Sequence, residues 1–431
     1  MMLFFYTVLY TILLPFILCR LYWKGIKLPA YRERWQERLG YYTTPAQAIN
    51  IWIHAVSLGE TIAATPLIEA LLHANKSILI TNTTVTGSQR SRQQFNQRIQ
   101  QVYLPYDHPV ILKRFFKQFQ PQICLLMETE LWPNLIYYTK KHQIQLLLIN
   151  ARLSESSYRH YHLVKALVKP MLQKIDSIHT QTAEDAQRFI ALGANKKHVC
   201  ITGNLKFDQI NNQVQLELYN NLRKTWHINR FVVIAASTHD PEEHLLLQQW
   251  QQLKQNIPHI LLFIAPRHPE RFLSVYNLAK QYDQNVGLRS DSNSLHNKNQ
   301  IVIVDTLGEL LGFYHIAQLA FIGGSIAKIG GHNVLESIAM HTPTIVGPHT
   351  FHFTDIIAQL RQAQAIIEVD SMAGVSLAIQ QLAHQPMLAT RLATHALQLL
   401  NNNQGALDRY LQSILLCVCK SASSKAIASI S

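Results

Sequence analysis

The run His54-Ala-Val-Ser-Leu-Gly-Glu60 places a carboxylate three residues after a serine, directly behind a short apolar segment. Such a carboxylate can act as a general base if a hydroxyl lies within hydrogen-bonding reach. The same spacing, Ser57-x-x-Glu60, is a capping box for the helix that follows, and on spacing alone the cap is the stronger reading. Met127-Glu128-Thr129-Glu130-Leu131-Trp132-Pro133-Asn134 also follows an apolar run, with Glu128 at its carboxyl end. Two acids flanking a threonine can stabilise positive character in a sugar or hold a cation. Glu130 is equally suited to capping the next turn, and Trp132 to packing. Gly203-Asn204-Leu205-Lys206-Phe207-Asp208 offers a lysine to an anion, although most lysines are simply solvated.

The second half holds a denser set. Pro266-Arg267-His268-Pro269 follows an apolar run, and an arginine fork there suits a phosphate. Thr306-Leu307-Gly308-Glu309 opens a helical stretch, and Gly323-Gly324-Ser325 and Gly330-Gly331-His332-Asn333 bracket a short loop. Adjacent glycines let backbone approach a ligand closely. A helix starting near Asn333–Glu336 would aim its free N–H groups at a phosphate, with Glu336 one turn in and placed to accept from ribose hydroxyls. Glycine pairs alone are often only turns, but several phosphate- or ribose-suited elements at successive strand ends point to a nucleotide-sugar site.

The elements that must position these residues are legible as apolar runs separated by amphipathic stretches. Runs at 51–56, 78–81, 101–104, 123–127, 146–149, 177–180 and 199–202 predict strands, and the stretch 61–73 predicts a helix with Pro66 inside it, kinked there. Continuous apolar strands alternating with helices indicate a parallel sheet covered on both faces. A polar break at 209–215 is followed by a second series at 231–235, 259–265, 301–304, 319–322 and 344–346. From Ser371 the pattern is helical, and the small, polar end from Ser421 predicts disorder. Neither half has G-x-G-x-x-G after its first strand, which disfavours a dinucleotide enzyme. The expectation is an α/β protein of two Rossmann-like, doubly wound domains facing a cleft, with ligands at the carboxyl ends of the strands. Its expected boundaries are an anchor at 1–22, domains at 23–208 and 209–420, and a tail at 421–431.

Lys and Arg total 39 against 26 Asp and Glu in 431 residues, a formal charge of +13 that suggests an anionic partner. The basic residues are dispersed and cluster only near the amino terminus, which disfavours nucleic acid. The five cysteines show no C-x-x-C pair and the 21 histidines no H-E-x-x-H, so neither a disulfide framework nor a metal site is expected. Residues 1–19 carry no charge, and Arg20, Lys24, Lys27, Arg32, Arg34 and Arg38 follow. That length suits a membrane anchor, the positive flank keeps the body in the cytoplasm, and a spanning helix is preferred over an interfacial one.

Taken together, HAVSLGE, YLPYD, METELWPN, NARLS, TGNLKFD, AASTH, PRHPERF, FIGGS, GGHNVLE, GPHTFHF and NQGALDR resemble the Kdo (3-deoxy-manno-octulosonic acid) transferases, over nearly the whole chain. METELWPN, GNLKFD and GGHN-x-LE in this order are the most specific. The resemblance implies a GT-B glycosyltransferase of lipopolysaccharide biosynthesis at the bacterial inner membrane. It implies transfer of Kdo from CMP-Kdo to lipid IVA, the lipid A precursor, or to Kdo-lipid IVA, by an inverting, metal-independent reaction without a cofactor. Glu60 then matches the general base, and Glu128 and Lys206 match residues that stabilise the transition state. Pro266 and Arg267, then Leu307, Gly308 and Glu309, then Asn333, Val334, Leu335 and Glu336 match CMP-binding segments. Val334 and Val85 stand where members usually carry proline. The rival readings are another GT-B enzyme using a nucleotide sugar on a lipid, a sugar-nucleotide epimerase, and a lipid A-binding protein without catalysis.

Overall fold

The computed structural model describes residues 2–43, 49–209, 230–291 and 299–428. Most of the expected break at 209–215 lies outside them. The chain divides into two units, Met1–Gln209 with Gln404–Ser431, and Ile210–Asn403.

In the first unit, helix α1 (Met2–Lys27) precedes seven parallel strands. These are β1 (Ile51–His54), β2 (Ile78–Asn82), β3 (Gln100–Tyr103), β4 (Ile123–Met127), β5 (Gln145–Ala151), β6 (Ser177–Thr180) and β7 (Val199–Ile201), in spatial order 3-2-1-4-5-6-7. Helices α2 (Leu58–His73), α3 (Val85–Phe95), α4 (Pro109–Gln118), α5 (Pro133–Lys141), α6 (Glu155–Leu163), α7 (Lys165–Leu172) and α8 (Ala183–Leu192) connect or follow them. The central strands β1, β4 and β5 are mostly apolar and buried because both faces are covered. Trp52, Leu126 and Leu148 face a cluster with Phe115 and Phe119 of the α4 region, while Ile53, Leu125 and Ile149 face α2. The chain leaves β1 for β2 on one side and later returns to β4 on the other, so the carboxyl ends of β1 and β4 flank the switch point where such sheets bind ligands.

The second unit repeats this plan. Its strands are β8 (Phe231–Thr238), β9 (Ile260–Pro266), β10 (Val286–Leu288), β11 (Ile301–Ile303), β12 (Leu319–Ile322), β13 (Thr344–Val346) and β14 (Ile367–Glu368), parallel and in order 10-11-9-8-12-13-14. The helices are α9 (Glu242–Gln248), α10 (Trp250–Asn256), α11 (Phe272–Lys280), α12 (Leu310–Ile316), α13 (Leu335–Ala339), α14 (Thr354–Gln362), α15 (Met372–His384) and α16 (Pro386–Asn403). Here the switch point lies between β8 and β12.

The last helix, α17 (Ala406–Ala428), corrects two expectations. It belongs to the first unit, not the second, because Ala406, Tyr410, Ile414 and Val418 pack into the core beneath β1, β4 and β5. Asp208 fixes its start by accepting from the N–H groups of Gly405 and Leu407, both at 2.7 Å. The Tyr410 hydroxyl bonds the backbone of Asn150 and Gly203. The expected disordered tail is helical as far as Ala428, in keeping with the moderate to high helix propensity of its Ala, Ser and Lys.

Two more differences have local causes. Helix α2 begins at Leu58, ahead of the expected Thr61, because Ser57 caps it; Pro66 lies inside it as expected. The basic stretch after α1 is partly folded in: Arg38 is buried over the Tyr103 ring and donates to the Thr83 carbonyl at 2.8 Å.

Both proline departures fall at helix starts. Val85 is the first residue of α3, after a capping Thr84 in extended conformation, and Val334 has φ −79° just before α13. Proline's fixed φ suits both positions. Val85→Pro is therefore expected to raise stability by about 0.4–1 kcal/mol. A fall in Tm on thermal unfolding would count against this account of the position.

Candidate active site

Glu60 is the third residue of α2, just past β1, and Ser57 caps it as expected, while the Glu60 carboxylate reaches back one residue further than in a standard capping box. The Ser57 hydroxyl oxygen accepts from Glu60 N–H at 3.4 Å and donates to Glu60 Oε1 at 2.9 Å, while Val56 N–H donates to Oε2 at 2.8 Å. The cap is also a pocket for a perturbed acid. Glu60 is only 8% exposed, and burial pushes its pKa up to about 7, with the charges of Glu128 and Glu130 adding to the rise and Val56 and His54 opposing it. The capping and catalytic readings thus describe one geometry.

Glu128 follows β4 across the switch point. Its φ of +54° is left-handed, a strained conformation for a residue other than glycine. It is held there by its N–H bond to the Ile149 carbonyl at 2.9 Å and by Arg152, whose Nε donates to Oε2 at 2.8 Å. Glu130 accepts from Trp132 Nε1 at 2.7 Å and lies 3.8 Å from Nε2 of the buried His54, whose Nδ1 meets Thr81. Trp132 is thus both packing and a donor to the site. Lys206 lies on a single 3-10 turn (Leu205–Gln209) that packs against α2, half-exposed. Within the first unit, then, Glu60, Glu128, Glu130 and His54 gather at the ends of β1 and β4, and Lys206 stands on a neighbouring element.

In the second unit the switch point is a loop shaped by an acid. Glu242 has no exposed surface. One oxygen accepts from His239 N–H at 3.0 Å and Gly324 N–H at 2.8 Å, and the other from Ile326 at 2.9 Å and Ala327 at 3.0 Å. Gly324, Gly330 and Gly331 all have positive φ, and the last two donate to the Gly324 carbonyl, folding 324–331 into a tight loop. His239 and His332 stack over it, with Nε2 atoms 2.8 Å apart, so one ring donates a proton to the other. Burial pushes His332 down to about 4, with His239 and Arg267 adding to the fall. A neutral histidine pair beside a guanidinium and close-packed glycine backbone is suited to an anion.

Pro266 ends β9, and Arg267 follows it with an exposed side chain and its N–H bonded to the Thr238 carbonyl. Burial raises the Glu336 carboxyl, while its bond from Asn333 at 3.2 Å and the Arg267 charge oppose the rise. Val334 and Leu335, its neighbours in the chain, are buried. Leu307 is 76% exposed, and Gly308, with φ +85°, has open space where a side chain would stand. Glu309 is fixed by Arg289 and by the Thr306 hydroxyl. One expectation is modified: α13 starts at Leu335 and spans five residues, and Asn333 Oδ1 already takes the Leu335 N–H at 3.1 Å. The Asn333 side chain, more than a helix dipole, organises this corner. Among the described residues no cluster of three or more His, Cys, Asp or Glu could hold a metal ion.

Residues 33–209 match the family model described as 3-deoxy-D-manno-octulosonic-acid transferase (kdotransferase). The 3-deoxy-D-manno-octulosonic acid transferase of Haemophilus influenzae is 40% identical over 416 residues, which cover 95% of this chain and 97% of that protein. The chain belongs to the Kdo transferase family. The Bordetella pertussis 3-deoxy-D-manno-octulosonic acid transferase is 35% identical over 362 residues, covering 80% of this chain and 82% of that one. The chain is a glycosyltransferase with the paired Rossmann-like units of the GT-B type. UDP-GlcNAc 2-epimerase from Neisseria meningitidis, solved bound to UDP-GlcNAc, has a TM-score of 0.53 over 86% of this chain and 100% of that chain, at 13% identity. That likeness speaks to the fold alone.

For a Kdo transferase, several residues that organise these sites escaped the sequence reading. Arg152, in NARLS, and His54, the first residue of HAVSLGE, were within named motifs, yet neither was assigned a role. Glu242 was invisible, because its four partners lie up to 85 residues away in sequence. His239 carried one available signal, its place directly after a strand in AASTH.

Proposed function

We propose that the protein transfers Kdo from CMP-Kdo to lipid IVA, the lipid A precursor, or to Kdo-lipid IVA, from the cytoplasmic face of a bacterial inner membrane. The observation that carries the proposal is Glu60, a buried carboxyl poised near neutrality at the switch point, beside a strained Glu128. A group with that pKa can accept a proton at physiological pH and is still basic enough to assist the attack.

In the proposed reaction the acceptor hydroxyl oxygen forms a bond to the anomeric carbon of Kdo as its proton passes to Glu60. The bond from that carbon to the phosphate oxygen breaks, and CMP leaves with the electron pair. Displacement from the opposite face inverts the anomeric centre. Glu128 and Lys206 would balance charge as the sugar ring gains positive character and the phosphate departs, with no metal or cofactor taking part. In the second unit Arg267 would meet the phosphate, the backbone around Leu307 to Glu309 would approach the nucleotide, and Glu336, held by Asn333, would accept from the ribose. Val334 and Leu335 would support that corner. The basic residues beside the anchor fit an anionic membrane surface.

The test is incubation of detergent-solubilised protein with CMP-Kdo and a tetra-acylated lipid A precursor, read by product mass. A lipid heavier by one or more Kdo units is expected. An unchanged lipid, from folded protein that binds CMP, would sink the substrate assignment.

A further inference from the structure

Helix α1 was expected as a plain hydrophobic anchor, but one of its faces is partly covered, and its first turns are bonded to the body. Positions 3, 6, 7, 10, 14, 17, 18 and 21 are half-buried and Gly25 is buried, whereas the residues between are exposed. Those spacings of three and four trace a single stripe on an α-helix. A helix that merely tethers a domain has no reason to bury such a stripe.

The first turns of the stripe are polar and dock on two motif residues. The Tyr6 hydroxyl donates to Asp107 Oδ2 at 2.9 Å, Asp107 N–H donates to the Tyr10 hydroxyl at 3.2 Å, and the Thr7 hydroxyl lies 3.1 Å from Asn134 Oδ1. Asp107 is buried and also accepts from the N–H groups of Asn134 and Leu135, at 3.0 and 2.7 Å, at the start of α5. Asp107 ends YLPYD and Asn134 ends METELWPN, so these motif residues serve as the seat of the helix. At the other end the Arg32 guanidinium stacks on Tyr22 at 4.6 Å, and the Leu28 N–H bonds the Lys24 carbonyl as the chain turns back onto the body.

This attachment cannot coexist with a crossing. At 1.5 Å per residue, Tyr6 and Lys27 are separated by about 30 Å along the axis, roughly the thickness of the hydrocarbon core. If α1 crossed the bilayer with the body on the side of Lys27, Tyr6 would stand on the opposite side, far from Asp107. The outward face instead carries Phe4, Phe5, Leu9, Ile12 and Phe16, all more than half exposed, then Trp23 at 73%. Arg20 and Lys24 flank its end, and no acid lies in the helix. We infer that α1 is an in-plane anchor: it lies along the first unit, clasped by Asp107 and Asn134, and presses its outer apolar face into one leaflet of an anionic membrane without spanning it.

An apolar face flanked by basic residues on a helix held against the body would be buried at the boundary between headgroups and acyl chains. Asn134 belongs to the same short segment as Glu128 and Glu130. The clasp would therefore hold the acidic site at a set height above the leaflet that carries a lipid acceptor. The inference rests on the membrane location proposed above, and its test separates the two.

An epitope tag placed before Met1 of the full-length protein would be exposed to protease in right-side-out spheroplasts and in inside-out vesicles. The protein is expected in the membrane fraction, with the tag cleaved only in inside-out vesicles, on the side of the body. Cleavage only in spheroplasts would overturn the in-plane anchor while leaving the membrane location intact. Recovery of the protein wholly in the soluble fraction would overturn both. Independently, Thr7→Cys with Asn134→Cys should yield, in membranes treated with a short bis-maleimide, a cross-linked peptide pair absent from either single variant. Loss of that pair while each cysteine still reacts singly would also overturn the clasp.

Discussion

Glu60→Gln is expected to cut turnover by roughly 10²- to 10⁴-fold, the usual worth of a positioned general base, while CMP affinity stays unchanged. The amide preserves the size of the side chain and one acceptor oxygen for the cap, so the loss would report chemistry more than folding. The pH dependence follows from the same burial. As the proposed base, Glu60 would work only when ionised, and its pKa is raised to about 7, so wild-type kcat/KM should fall tenfold per pH unit on the acid side of about pH 7. Because the Glu128 charge helps raise Glu60, the residual activity of Glu128→Gln should show this acid limb displaced to lower pH. Stability moves the opposite way. A carboxyl with its folded pKa raised above the ordinary 4.5 favours the fold while protonated, and this contribution is lost as pH rises through about 7. Glu60→Gln should flatten that slope. A variant retaining wild-type turnover with the same acid limb would remove Glu60 from the role of base.

How much of this was legible varies with the range of the interaction. Buried strands in the middle of a sheet announce themselves as apolar runs, which is why β1, β4 and β12 stand close to where their residues predict. The three-residue β10 and two-residue β14 give no such signal, and Gly287 further weakens the first. The residues after β1 and β4 could be picked out because parallel sheets place chemistry at strand ends, and Glu60 and Glu128 do meet there. The contacts that hold them could not be read, since Arg152 reaches Glu128 from just past the end of β5. Helix α17 was misplaced for a similar reason: nearness in sequence favours the second unit, and only the three-dimensional core shows where Tyr410 and Ile414 are needed. The dock of α1 left a faint trace, because Tyr6, Thr7 and Tyr10 are polar and recur at helical spacing within an otherwise apolar run.

The second large effect is expected at a residue the sequence hid. Glu242 binds four backbone N–H groups with two carboxylate oxygens, and every one of them belongs to the loops that carry His239 and the glycines. Hydrogen bonds to a charged group contribute about 1.5–3 kcal/mol each, and buried donors left without partners cost a similar amount. Alanine at this position would leave all four donors unpaired, and the second unit should lose about 3–5 kcal/mol of stability. Glutamine is almost isosteric, yet it should fail as well. Whichever way its amide is turned, an NH₂ group faces two N–H donors, and one pair of bonds becomes a repulsion. Glu242→Gln is therefore expected to weaken CMP binding at least about tenfold by calorimetry and to lower the Tm. A Glu60→Gln control should bind CMP normally. If Glu242→Gln bound CMP as well as wild type with an unchanged Tm, the glycine loop would be holding its own shape. The proposed nucleotide site would then rest on Asn333, Glu336 and Arg267 without this buried support.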